Sequence, residues 1–318
     1  MHAKIMLLPG SARGEALCRC AEQVLTDVSA AFQHSFSLLR EKIGEQSLQA
    51  YQEPLTEEAV AACEKCRAVL LGDGEGPGTE ALYDALNLPL EIRSFCVPDA
   101  LCGRHEPPVS LWLARVLSLD AETLAGAMES AFRFAQETET HITAIAPQGA
   151  AKAAWDAAVQ AQAARRLSVR LSSLSAPEAA RMLITDPSGL GVLLCPPYAG
   201  GIFSASAAAR CSRPAVIHAA AFDEETGVYA PCPPPEDAED TLAAFGMVRA
   251  VANLLRFALG LSREASCVEA ALNNVFISAR KGADWAEDSP VTPEQIVSRV
   301  GEQIAVAGEL AGKSLFSH

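Results

Sequence analysis

The sequence is poor in aromatic side chains, with three Trp, four Tyr and eleven Phe among 318 residues. Sandwiches of β-sheets draw their cores from aromatic and β-branched side chains, so this scarcity argues against an all-β fold. Alanine takes up much of the hydrophobic half of the composition and favours closely packed helices. Positive charge is also scarce: 25 Lys and Arg stand against 39 Asp and Glu, a formal charge of −14. Broad contact with a phosphate backbone is then unfavourable, and no nucleic-acid partner is expected. No window offers roughly 18 uninterrupted apolar residues, so no membrane span is expected. The apolar run Ile5-Met6-Leu7-Leu8 before Pro9-Gly10 is too short for a secretory leader. A soluble, cytoplasmic protein is the expectation, and the length suggests roughly two domains.

The ten cysteines are scattered without a compact framework and read as reduced thiols. Cys63-Glu-Lys-Cys66 has the spacing of half a zinc site, but no second CxxC or HxxxH pair completes it. The plain reading is a helix end before a strand.

What is present is an alternation of short apolar runs and helical spacing. Ile5–Leu8 reads as a strand, Pro9-Gly10 as a turn, and Glu15–Phe36 as a helix with Leu17, Val24, Val28 and Phe32 on one face. Thr56 caps a helix running to Cys66, with Glu57 and Glu58 in its first turn. Ala68–Gly72 is a buried strand and Val109–Val116 another. Asp120 caps a helix through Phe134, and Ala150–Arg165 is a further helix. Ser168–Leu171 reads as a strand, Pro177–Ile184 as a helix, and Gly191–Cys195 as a strand. Gly227–Pro235 reads as a proline-rich crossing, followed by helices over Thr241–Leu261, Arg263–Ala279 and Thr292–Gly308, the last with Pro293 at its first position. Such βα alternation implies an α/β fold with a mostly parallel sheet.

In this order the pieces resemble the isocitrate/isopropylmalate dehydrogenases, a family of decarboxylating β-hydroxyacid dehydrogenases. Lys4–Gly10 is similar to the family's first strand, although Ser11-Ala12-Arg13-Gly14-Glu15 replaces the usual Asp-Gly-Ile-Gly-Pro-Glu. Leu190–Ala208 matches Phe-Asp-Val-Ile-Val-Thr-Gly-Asn-Leu-Phe-Gly-Asp-Ile-Leu-Ser-Asp-Glu-Ala-Ala without a gap, and Leu254–Gly260 resembles a further helix end. The resemblance implies a two-domain α/β fold with parallel or mixed sheets, flanking helices and an interdomain cleft. One domain would hold residues 1–95 and 230–318, on the cofactor side. The other, 96–229, would carry the substrate and dimerisation side. The family's loop with its catalytic tyrosine has no counterpart between Arg115 and Asp120.

The resemblance further implies NAD(P) and Mg²⁺ or Mn²⁺, cations that prefer carboxylate oxygens. The family's metal aspartates fall here on Gly201, Ala205 and, near a helix start, Pro177, which leaves no metal-ligating side chain. The catalytic lysine falls near Pro147; Lys152, the nearest amine, is a candidate substitute one helical turn away. The cofactor loop corresponds to Tyr229–Asp240, where three consecutive prolines and four acids replace the His and glycines. Asp237 is the one candidate there for a cofactor contact, and Ala243 stands in for an adenine-side asparagine. Of the three substrate arginines, Arg93 and Arg115 fit two, and the first falls near Tyr83. Gly72-Asp73-Gly74-Glu75-Gly76 lacks the Lys-Ser/Thr of a phosphate loop. Ser204 lacks a nucleophile elbow, and His34, His105, His141 and His218 show no triad spacing.

Three functions follow as expectations. The first is a non-catalytic subunit, or small-carboxylate-responsive partner, in a homodimer or in a hetero-oligomer with an active relative. The second is an active NAD(P)-dependent, metal-assisted oxidative decarboxylase of a 2-hydroxy acid such as 3-isopropylmalate or isocitrate. The third is a homodimeric scaffold. Gathering of Arg93, Arg115, Lys152, Asp186 and Asp223 about one pocket would favour the second.

Overall fold

The computed structural model describes residues 1–96, 109–211, 217–232, 240–281 and 292–315. The chain forms two compact units: Met1–Leu86 with Glu225–His318, and Asn87–Glu224.

In the first unit β1 (His2–Leu8) leads into α1 (Ala12–Phe32), then β2 (Ser35–Arg40), α2 (Gly44–Tyr51), α3 (Glu57–Cys63), β3 (Ala68–Leu71) and α4 (Thr79–Ala85). The Ser11 hydroxyl caps α1 by accepting from the Gly14 amide at 3.1 Å. The expected helix ran on to Phe36, whereas α1 stops at Phe32 because Gln33 turns left-handed (φ 57°) and Ser35–Arg40 pairs with β1 in parallel. Thr56 caps α3 as expected, its hydroxyl accepting from the Ala59 amide at 3.1 Å. That helix ends at Cys63, three residues before the expected end at Cys66.

The second unit begins with β4 (Leu90–Ser94), β5 (Trp112–Val116), α5 (Ala121–Glu137), β6 (Ile142–Ile145) and α6 (Ala151–Arg165). It continues with β7 (Leu171–Leu174), α7 (Ala176–Thr185), a 3₁₀ turn at Pro187–Leu190, β8 (Val192–Cys195), α8 (Pro197–Arg210) and β9 (His218–Phe222). Asp120 caps α5 through the Thr123 amide at 3.0 Å. The strand expected at Ser168–Leu171 is displaced to Leu171–Leu174. The amide of Val169 turns back onto the Arg166 carbonyl, which keeps the preceding residues out of the ladder.

The chain then re-enters the first unit with β10 (Gly227–Pro231), α9 (Asp240–Asn253), a π-helical turn at Leu254–Ala258, α10 (Ser262–Lys281) and α11 (Pro293–Leu315). Gly227–Pro231 is thus no crossing but a fully buried strand, whose Val228 and Tyr229 lie beside Val69 and Leu70 of β3.

In the first unit the strands run β2-β1-β3-β10, all parallel, with α1 packed against α9 and α11. In the second the order is β9-β4-β5-β8-β6-β7, where β4 is antiparallel to both neighbours and β5, β8, β6 and β7 are parallel. In both units strands alternate with helices, the α/β architecture expected from the sequence. Among the described residues no helix is long and apolar enough to cross a membrane.

Candidate functional site

Two features of the second unit gather chemistry. The first is a cavity of about 1510 Å³ beyond the carboxyl ends of β6, β7 and β8, where the chain leaves each parallel strand and where α/β sheets place ligands. Its floor is Trp155 and Phe203, both buried, and its rim is Tyr198 and Ile202 of α8, 84% and 52% exposed. Lys152 and Asp156 stand together on α6 at its mouth, the lysine Nζ donating to the aspartate Oδ2 one turn on.

The second feature is a charged triad on β4 and β5. Glu91 lies directly opposite Arg115 in the antiparallel register, and Arg93 follows two residues along β4 on the same face. The Nε of Arg93 donates to one Glu91 carboxylate oxygen at 3.1 Å and the Nε of Arg115 to the other at 2.9 Å. The Glu91 side chain is 3% exposed, those of Arg93 and Arg115 22% and 19%. A buried carboxylate must be paired, and here two guanidiniums share it. Gly200 of α8 lets that helix rest on the Arg115 stem: a Cβ at position 200 would lie 2.7 Å from the arginine Cγ.

The sequence singled out both arginines but not Glu91. The hint was a Glu-x-Arg pair inside the otherwise apolar strand Leu90-Glu91-Ile92-Arg93. Neither arginine lines the cavity, and of Arg93, Arg115, Lys152, Asp186 and Asp223 only Lys152 does. Asp186 instead caps the 3₁₀ turn through the Gly189 amide at 3.2 Å, and the Asp223 carbonyl accepts from Arg133 at 2.7 Å. Asp237 lies outside the described residues, as does His105.

At the positions resembling the family's metal ligands, Pro177 opens α7 at the cavity wall, while Gly201 and Ala205 face outward from α8. Among the described residues no three His, Cys, Asp or Glu side chains gather as a cation site, and Gly201, Ala205 and Pro177 offer no side-chain oxygen of the kind Mg²⁺ or Mn²⁺ prefers. Of the segment resembling the cofactor loop, Tyr229–Pro231 are strand core, and 233–239 lie outside the described residues. The glycines after β3 serve packing: a Cβ at Gly72 would lie 2.4 Å from the Gly14 carbonyl oxygen, and one at Gly74 2.3 Å from that of Pro231. Cys63 and Cys66 are buried at the end of α3, where desolvation pushes the Cys63 thiol up to about 12, away from thiolate chemistry. Burial likewise raises the Cys195 thiol beside Arg115 on β8.

Fold and site together define an α/β protein of dehydrogenase architecture with an arginine pair on adjacent strands of its second unit. A profile of the isocitrate/isopropylmalate dehydrogenases matches residues 4–91 and 118–303, and the chain belongs to that family. Arg93 and Arg115 lie in the stretch between the two matched ranges. The 3-isopropylmalate dehydrogenase of Thermotoga maritima is 26% identical over 344 residues, covering 93% of this chain and 95% of that protein. The one from Shouchella clausii is 24% identical over the full length of both. In fold, the chain is similar to isocitrate dehydrogenase from Methylococcus capsulatus, with a TM-score of 0.77 and 17% identity over 96% of this chain and all of that one. A beta-decarboxylating dehydrogenase from Thermococcus kodakarensis gives 0.72 and 15% over 99% of each.

Proposed function

We propose that this protein is a non-catalytic subunit of the isocitrate/isopropylmalate dehydrogenase family that holds a small carboxylate at Arg93 and Arg115, and that it pairs with a second copy or with an active relative. The observation that carries the reading is the chemistry of Gly201, Ala205, Pro177 and Pro147, none of which has a ligating or titratable side chain. Dispersal of the candidate charged residues supports it, since only Lys152 reaches the cavity and its amine is engaged by Asp156. Guanidiniums match carboxylates in geometry and charge, which makes arginines suited to such a ligand. Exposed Tyr198 and Ile202 on α8 support the pairing, because large apolar side chains on one helix face favour contact with another chain.

Purified protein given NAD⁺ or NADP⁺ with isocitrate, isopropylmalate, malate or tartrate and Mg²⁺ or Mn²⁺ should show no nicotinamide reduction. Turnover with any of them overturns the reading. It would favour an active oxidative decarboxylase, the alternative supported by relatives named 3-isopropylmalate dehydrogenase that match along 88–100% of the chain. A thermal-shift screen of dicarboxylates and nucleotides tests the ligand, as binding to the folded state raises its melting temperature. No shift with any of them would leave a scaffold.

A further inference from the structure

The cavity beyond β6, β7 and β8 has a chemistry of its own, in which neither Arg93 nor Arg115 takes part. The first residues of α6, α7 and α8 all line it, and helix starts are where α/β proteins commonly receive anions. Two of these starts are unsuited to one. Helix α8 opens on Pro196-Pro197, which have no N–H to donate. At α7 Pro177 has none either, and the Glu178 carboxylate already accepts from the Ser175 amide at 2.9 Å and from its hydroxyl at 2.6 Å, so the helix's own acid sits where a ligand's would. At α6 the amine of Lys152 is matched by the Asp156 carboxylate one turn on. These two are the only charged side chains among the described residues of the lining, which therefore carries no net charge.

We propose that this cavity is a binding site for an uncharged, largely apolar ring compound, separate from the arginine pair. Trp155 and Phe203 give a ring flat faces to pack on, with Ile145, Val159 and Leu174 around them. At about 1510 Å³ the space exceeds the roughly 300–1,000 Å³ of most small-molecule pockets, so a bulky molecule fits. Gln148, Gln160 and Ser173 add uncharged donors and acceptors for a hydroxyl or carbonyl of the ligand. An apolar molecule gains there by leaving water, whereas an anion gives up hydration that a lining without net charge does not return.

The test uses two fluorescent dyes with the same ring system, neutral phenylnaphthylamine and anionic anilinonaphthalene sulfonate, titrated against the full chain at fixed ionic strength. Wild-type protein is expected to bind a single neutral dye per chain, on the order of tenfold more tightly than the sulfonate. Ala180 of α7 and Gln160 of α6 line the cavity and are exposed, so Ala180→Trp and Gln160→Trp fill it without disturbing the core. Each is expected to weaken binding of the neutral dye on the order of tenfold. No binding of the neutral dye, binding undiminished in both variants, or wild-type affinity no higher than for the sulfonate overturns the proposal. Dye released as protein concentration rises would put a second copy over the cavity and also overturns it. None of these outcomes touches the carboxylate reading, which Arg93 and Arg115 carry.

Discussion

Two adjacent glycines of α8 make a test in which one substitution is expected to act with opposite signs. Gly200 and Gly201 are both helical, and replacing either by Ala removes the same flexibility from the unfolded chain, a gain of about 1 kcal/mol. At Gly201 nothing lies within 4 Å of the new Cβ, so Gly201→Ala should raise stability by about 0.5–1 kcal/mol. At Gly200 the new Cβ would meet Arg115 at 2.7 Å from Cγ, 2.9 Å from Cβ and 3.1 Å from Cδ. The arginine Cβ is fixed to β5 and cannot swing aside, so either the helix lifts or the arginine leaves Glu91. Overpacking of this kind costs about 1–3 kcal/mol, and loss of a hydrogen bond to a charged group about 1.5–3 kcal/mol. Against a propensity gain of about 1 kcal/mol, Gly200→Ala should lower stability by up to about 2 kcal/mol. At roughly 4 °C per kcal/mol for a unit of this size, melting should fall by up to roughly 8 °C, against a rise of roughly 2–4 °C for Gly201→Ala. Scanning calorimetry on both variants gives the answer. Equal melting temperatures for the pair would refute the close packing of α8 on Arg115, because no unfolded-state effect separates neighbouring Gly→Ala changes.

Other expectations are more local. Thr56→Ala should destabilise the first unit by about 1 kcal/mol in urea unfolding, because the Ala59 amide loses its cap. The Asp120 carboxyl is held well below the usual carboxylate range by the Ser118 hydroxyl and the Thr123 amide. A depressed folded pKa contributes stability above the unfolded value near 3.8 that is lost as pH falls. Urea midpoints of wild type and Asp120→Asn should therefore differ at pH 7 and converge towards pH 2; a gap that persists in acid would rule this out. Burial pushes the Cys18 and Cys63 thiols up to about 12 and leaves Cys96 half-buried. Native-state alkylation at pH 8, read by mass spectrometry, should modify Cys96 well before either, and early labelling of Cys63 would contradict its burial.

Helix starts were legible because caps act through local chemistry: Thr56, Asp120 and Thr292 each sit where a side-chain oxygen meets an amide three residues on. The start of β2 was not, since Phe32 and Phe36 keep helical spacing across the left-handed turn at Gln33 and mimic one continuous helix. Gly227–Pro231 was misread for a different reason. A short segment between glycine and proline carries little periodicity, and only its pairing with β3, about 160 residues earlier, makes it a strand. At the site, the family resemblance is what singles out the arginines. Their shared counter-ion depended on strand register, which places Glu91 across from Arg115 and which a single sequence leaves open.

The second unit is one uninterrupted segment, whereas the first is split around it. Helix α1 rests on α11, so its partner emerges from the ribosome about 260 residues after α1 itself. At synthesis rates of about 5–20 residues per second, that is a wait on the order of ten to fifty seconds. Throughout it α1, whose Asp27 and Ala31 lie against Gly301 and Gly308 of α11, lacks that cover. The inserted unit is wholly synthesised within that interval, so α1 is the helix that waits longest for its partner, and the nascent chain's exposure to holdase chaperones and to misassociation falls at its N-terminal end.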